Sequence, residues 1–315
     1  MNTPPQIARL CIHYGVNKVE RSILKTFALS IIGGFLIGSS SILSTICKYN
    51  YYGGLAQFYG GIVFPIGIMA VYCGGAEIFT GNTLLTIGFF NHNISAIDML
   101  LNWLVTFVGN FIGAILIAVL VVYSHITNMF NTNLAQVVIT TGIEKCSLSF
   151  EEALLKGLLG NFYNCLGIWV SLGGKDLRSV IVGIWTPIFL LAACNLEDCV
   201  ANMYYITAGI FASYEYDLDM VSISWGRLFY KNLIPVAIGN ILGGGFLVGA
   251  VYWYIFLTVD ETEIIQSAPK NLESLNINKN IILNKENNEN NHLNMDNSQG
   301  MLQNGDLSTF NHINK

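Results

Sequence analysis

The chain has 315 residues, 53% of them hydrophobic and only 11% charged, with a mean hydropathy of +0.52. Soluble domains carry about 25% charged residues, so this composition excludes an ordinary soluble globular protein and indicates an integral membrane protein. The formal net charge is −5 and the basic residues form no stripe, which excludes nucleic acid as a partner.

Residues 1–23 contain Arg9, Lys18 and Glu20 without a continuous apolar core, and read as an uncleaved cytosolic arm. Six apolar elements follow, at roughly 24–46, 53–90, 96–123, 153–172, 179–212 and 229–257. Each reaches the ~20 residues that a bilayer-spanning helix needs. The second and fifth are longer, and polar motifs break them at corresponding places. One break carries Gly74-Gly75-Ala76-Glu77-Ile78-Phe79-Thr80-Gly81-Asn82. The other carries Asn195-Leu196-Glu197-Asp198-Cys199 and then Ala201-Asn202-Met203. Irregular backbone at membrane depth is tolerated only where protein buries it or water lines it. Paired interruptions point to a transport site at the midplane.

The polar connection 124–150 divides the elements into two groups of three. Asn102 precedes Gly109-Asn110 and Gly113 in the third element at the spacing with which Asn232 precedes Gly239-Asn240 and Gly243 in the sixth. Three is odd, so homologous halves take opposite orientations. The expected fold is an all-α membrane protein: six spans as an inverted 3+3 repeat with two broken helices, forming a pore domain over residues 24–258. Arg9, Lys18, Arg21 and Lys25 in the N-terminal arm and Lys175 and Arg178 in the 173–178 connection place both termini in the cytosol, with Lys48, Arg227 and Lys231 against that bias. Residues 259–315 read as a disordered cytosolic tail, with 14 asparagines in positions 271–315. The seven cysteines include no CxxC pair and read as small hydrophobes, with no metal, disulfide or cofactor expected.

Breaking a helix exposes backbone amides that, with the helix dipole, attract anions. Glu77 and Glu197 sit one in each break, as caps for those amides or as proton carriers. Asn82, Asn110, Asn202 and Asn240 read as groups that satisfy the broken backbone. Thr80 either faces a lumen or packs in the core. Phe64, Ile68, Phe79 and Leu191 are either apolar constrictions or plain core. No catalytic motif sits where chemistry would need it, so no enzyme is expected.

Cys73-Gly74-Gly75 followed by Glu77-Ile78-Phe79-Thr80-Gly81-Asn82-Thr83 resembles the first break of the formate–nitrite transporter family. Glu197 through Asn202-Met203 resembles its second break, and Asn232-Leu233-Ile234-Pro235 with Gly239-Asn240 its last helix. The resemblance covers roughly residues 15–257. It implies an aquaporin-like protomer in a homopentamer, with one pore per subunit. It implies small monovalent anions such as formate, nitrite, lactate or hydrosulfide as solutes, with protons, in the plasma membrane. It also implies that Thr80 is the loop threonine, Lys145 and Lys18 the vestibule lysines, Phe64 and Leu191 the outer constriction, and Ile68 and Phe79 the inner one. Two positions depart from the family pattern. Asp198 stands at the family's central histidine, and Asn164 at an apolar position of the inner slit. A neutral Asp198 donates a hydrogen bond to a weak-acid anion, whereas an ionised one selects a neutral or cationic solute.

Overall fold

The computed structural model describes residues 1–218 and 222–258; the expected tail, residues 259–315, lies outside the described residues. The described residues are helical, with no strand among them. An amphipathic helix α1 (Pro4–Glu20) forms where the sequence suggested only an arm, with a proline in its first turn and Ile7, Ala8 and Cys11 buried. It is tied to the body at its start, where the Asn2 amide donates to Leu172 O at 2.8 Å.

Helix α2 (Ile23–Lys48) leads to the first broken element. That element comprises α3 (Gly53–Val63), α4 (Pro65–Gly74), the single turn α5 (Phe79–Asn82) and α6 (Leu85–Phe90). Helix α7 (Ala96–Tyr123) closes this half, its start capped by Ser95. In the second half, α9 (Phe150–Leu172) precedes the broken element formed by α10 (Leu177–Ala193) and α11 (Cys199–Glu215), and α12 (Trp225–Leu257) ends it; α8 (Asn133–Ser147) joins the halves. In the short connection before α10, the Ser179 backbone N–H and hydroxyl hold the Asp176 carboxyl below its usual range.

Helices α2, α7 and α12, and the run Gly53–Gly74, are long and apolar enough to cross a bilayer, while α10 is a shorter apolar helix. Large apolar side chains face outward along them, with Leu24 and Ile97 each 77% exposed and Leu104 62%. Such a surface suits lipid or a neighbouring subunit rather than water.

Helix α8 corrects the reading of 124–150 as a polar connection. Leu134, Ala135, Val138, Ile139, Gly142 and Cys146 form one buried stripe packed against α11. Asn131, Asn133, Glu144 and Lys145 lower the segment's mean hydropathy, yet the apolar positions keep helical spacing. In α12, two wide-turn stretches, Leu228–Leu233 and Ile241–Ala250, flank Pro235. Within the second, the Gly245 carbonyl accepts from the Thr86 hydroxyl at 2.8 Å.

Two helix pairs pack backbone on backbone. A Cβ on Gly113 of α7 would lie 2.0 Å from Ile31 O of α2, and a Cβ on Gly243 of α12 would lie 2.0 Å from Leu158 O of α9. The recurring glycines of the third and sixth elements therefore mark equivalent close crossings. We expect Gly113→Ala or Gly243→Ala to destabilise the folded protein by about 1–3 kcal/mol. Gly54→Ala, where a Cβ meets nothing within 4 Å, should leave the detergent-phase thermal midpoint unchanged.

Candidate functional site

Each break begins with one residue in the left-handed region, Gly75 (φ 72°) in the first and Asn195 (φ 51°) in the second. Glycine and asparagine are the residues that tolerate this conformation, so the sequence sets where each chain direction can turn. Three non-helical residues follow, the last of them extended (Ile78 or Asp198), and the next half-helix starts at Phe79 or Cys199.

The exposed backbone is satisfied by two asparagines in matching geometry. The Phe79 N–H donates to Asn110 Oδ1 at 2.8 Å, while Asn110 Nδ2 donates to Ser30 O and Glu77 O at 2.7 and 2.9 Å. The Cys199 N–H donates to Asn240 Oδ1 at 3.0 Å, while Asn240 Nδ2 donates to Gly157 O and Glu197 O at 2.7 and 3.1 Å. Each amide thus braces a break against the first helix of its own half. Buried peptide groups must be paired in this way, because an orphan costs about 1–3 kcal/mol.

The two glutamates do something different from capping. Glu77 accepts from Lys18 Nζ at 2.7 Å and Arg21 Nη1 at 2.5 Å. Lys18 also donates to Asn82 Oδ1, and Asn82 Nδ2 to Asn102 Oδ1. Glu197 accepts from Lys145 Nζ and Asn202 Nδ2, both at 2.7 Å; Asn202 Nδ2 also donates to Asn232 Oδ1. The expectation that these carboxylates accept broken-helix amides is therefore corrected. The asparagines take the amides, and the carboxylates compensate the cations that reach them. Arg21, Asn102 and Asn232 complete these networks; in the sequence Arg21 stands out only as a topological charge. Lys145, which the resemblance marks as a vestibule lysine, is a buried helical residue with 8% exposure.

Asp198 breaks the match between the halves. Its Oδ1 accepts from Val200 N–H at 2.8 Å and Ala201 N–H at 3.2 Å, capping α11. Its counterpart, Ile78, offers no side-chain cap. Amides expected to stand open to an anion are consequently occupied: those of Phe79 and Cys199 by asparagines, those of Val200 and Ala201 by Asp198. Asp198 Oδ2 faces Asn164 Nδ2 at 3.4 Å.

Two cavities approach this region. One, of about 600 Å³, is lined by Lys48, Glu144, Lys145, Phe64, Leu191 and Asp198. The other, of about 360 Å³, is lined by Lys18, Arg21, Glu77, Tyr72, Gly81 and Asn82. Ile68, Phe79 and Thr80 line neither and are buried, with the Phe79 ring edge-on to Phe107 and Trp103. The structure thus brings Phe64 and Leu191 to one cavity with Asp198 and Lys145, puts Lys18 at the other, and leaves Ile68, Phe79 and Thr80 in the closed stretch. Among the described residues no cluster of His, Cys, Asp and Glu side chains fits a metal, and the seven cysteines are free.

The pair Lys145–Glu197 generates a stability prediction. Lys145→Met leaves a buried carboxylate unpaired and should cost about 3–5 kcal/mol. Adding Glu197→Gln should recover much of that loss. Thermal unfolding of the two variants in detergent checks the recovery.

The family model described as Formate/nitrite transporter matches residues 5–254. The formate channel FocA of Escherichia coli is 32% identical over 268 residues, covering 81% of this chain and 94% of that one. An uncharacterized transporter of Bacillus subtilis is 31% identical over 264 residues, covering 82% and 95%. Among solved structures, a pentameric formate channel with formate bound matches with a TM-score of 0.69 and 25% identity, covering 75% of this chain and 98% of that one.

Proposed function

The chain belongs to the formate/nitrite transporter family, whose members are membrane transporters rather than enzymes, and on that premise we propose a homopentameric channel or proton-linked carrier for small monovalent weak-acid anions. Formate, nitrite, lactate and hydrosulfide define the solute class. The observation that carries this reading is the pair of cavities separated by a closed stretch at two braced helix breaks. An inverted 3+3 repeat of six spans is supported by the matching hydrogen bonds of Asn110 and Asn240 at the two breaks. Both termini would then lie in the cytosol, beside the cavity of Lys18, with Lys145 at the outer mouth of a plasma-membrane channel.

Lys145 and Lys18 would draw an anion into either cavity, although each lysine is already compensated by a glutamate. On the cytosolic side Arg21 adds a second cation against the single carboxylate of Glu77. Past Phe64 and Leu191, a bare charge entering the closed stretch loses its hydration, which is expensive. A proton acquired near Thr80 and Asp198 removes that cost. On Asp198 only Oδ2 is available for such a proton, because Oδ1 already accepts two N–H groups. Ile68 and Phe79 would form the inner constriction.

The same two amide bonds favour a second reading. An ionised carboxylate is the better acceptor at a helix N-terminus, and an ionised Asp198 would select a neutral or cationic solute. Uptake of formate, lactate, nitrite and hydrosulfide into proteoliposomes, beside ammonium and glycerol, separates the two. In the weak-acid reading uptake is highest at acidic pH, and Asp198→Asn retains it, since the amide keeps a capping oxygen and adds a donor. Acids of different pKa compared at one pH separate the protein's titration from the solute's. Loss of ammonium or glycerol flux in Asp198→Asn, with little wild-type anion uptake at any pH, would establish the second reading instead.

Assembly gives an independent check. After detergent correction the purified protein should have about five times the 34.7 kDa protomer mass. A stable monomer that transports would contradict the pentamer.

A further inference from the structure

The closed stretch contains two buried polar atoms that, among the described residues, have no hydrogen-bond partner: Thr80 Oγ1 and Asn164 Oδ1. Both residues are fully buried. Thr80 adjoins Gly81, which lines the inner cavity, and its hydroxyl lies against the Asp198 carboxyl without meeting hydrogen-bond geometry. Asn164 stands one helical turn before Ile168, which also lines the inner cavity, and contacts Asp198 at the end of the outer one. The two unpartnered atoms therefore lie between the cavities, on the solute's route.

The orientation of the Asn164 amide follows from its neighbours. Asn161 Nδ2 donates to Thr80 O at 3.1 Å and Asn240 O at 2.7 Å, and these peptide carbonyls can only accept. That fixes the Asn161 amide and turns its Oδ1 toward Asn164, whose Nδ2 donates to it at 3.2 Å. Asn164 Nδ2 also faces Asp198 Oδ2, a second acceptor. Flipping Asn164 would set its oxygen against the Asn161 oxygen, whichever protonation state Asp198 holds. Its Oδ1 is thus the free end, a fixed acceptor at a position where an apolar side chain would offer none.

We propose that Asn164 determines solute class in the closed stretch: its Oδ1 accepts the O–H of an undissociated oxyacid whose C=O accepts from the Thr80 hydroxyl. This rests on the weak-acid reading above and narrows it. A carboxylic acid presents one donor and one acceptor, the chemical complement of the Asn164 oxygen and the Thr80 hydroxyl. A carboxylate anion presents no donor, and would face both Asn164 Oδ1 and the Asp198 carboxyl. Hydrogen sulfide is a weak donor and a weak acceptor, so it gains little from the pair. Ammonium would satisfy Asn164 Oδ1, but Lys145 and Lys48 at one cavity and Lys18 and Arg21 at the other disfavour a cation.

The test is the ratio of formate to hydrosulfide uptake in proteoliposomes at one acidic pH, for wild type and Asn164→Val, with ammonium as a third solute. Losing one hydrogen bond in the closed stretch should lower the ratio about fivefold to tenfold. A purely structural role would depress both fluxes together and leave the ratio unchanged, which would overturn the proposal. So would a variant that loses ammonium uptake while the formate ratio holds. Should the valine variant fail to assemble, Asn164→Ser is compared with Asn164→Ala: serine keeps an acceptor and must show the higher ratio, and equal ratios overturn the assignment. Wild type that carries neither formate nor hydrosulfide defeats the weak-acid reading itself, an outcome distinct from an unchanged ratio.

Discussion

Everything in this protein depends on satisfying peptide groups where two helices are interrupted inside an apolar body. Lipid offers no hydrogen bonds, so every open N–H or C=O must find a partner within the protein. Asn110 and Asn240 solve this identically, each accepting from the first amide after a break and donating to the carbonyl of the preceding glutamate. Because each also holds a carbonyl of its half's first helix, the same side chain fixes the break's position against that helix.

The close crossings of α2 with α7 and of α9 with α12 are what bring those asparagines within reach. A Cβ on Gly33 would sit 2.1 Å from Glu77 O, and one on Gly160 would sit 2.3 Å from Glu197 O. Backbone therefore rests on backbone at both breaks, and the glutamate side chains are directed away toward Lys18, Arg21 and Lys145. These charges lie on segments outside the broken elements: α1, the residue after it, and α8. Each ion pair thus ties a peripheral segment to a break, and buried charge is tolerated because a further hydrogen bond supports each lysine–glutamate pair, from Lys18 to Asn82 in one and from Asn202 to Glu197 in the other.

Against that agreement stands an asymmetry at the start of the two half-helices. Ile78 leaves its half-helix uncapped, whereas Asp198 caps its own with one oxygen and presents the other to Asn164. The N-terminus of the second half-helix is occupied by the protein's own carboxyl group. Under the proposed weak-acid reading, selection falls to the neighbouring neutral groups Thr80 and Asn164.

Sequence alone determined the apolar elements, the two breaks and the equivalence of Asn110 with Asn240, because hydrophobic run length, glycine and asparagine punctuation and residue spacing are local properties. It also marked Glu77, Glu197 and Asp198 as polar groups at an apolar depth. It did not reveal that α8 is a buried helix, since its charged residues diluted a stripe visible only at helical spacing. Nor did it show that glutamates receive lysines while asparagines receive amides. Those assignments join residues such as Lys18 and Glu77, or Lys145 and Glu197, that are far apart in the chain. Which acceptor a buried donor meets is decided by how helices cross, and that distance is set only when the whole bundle packs.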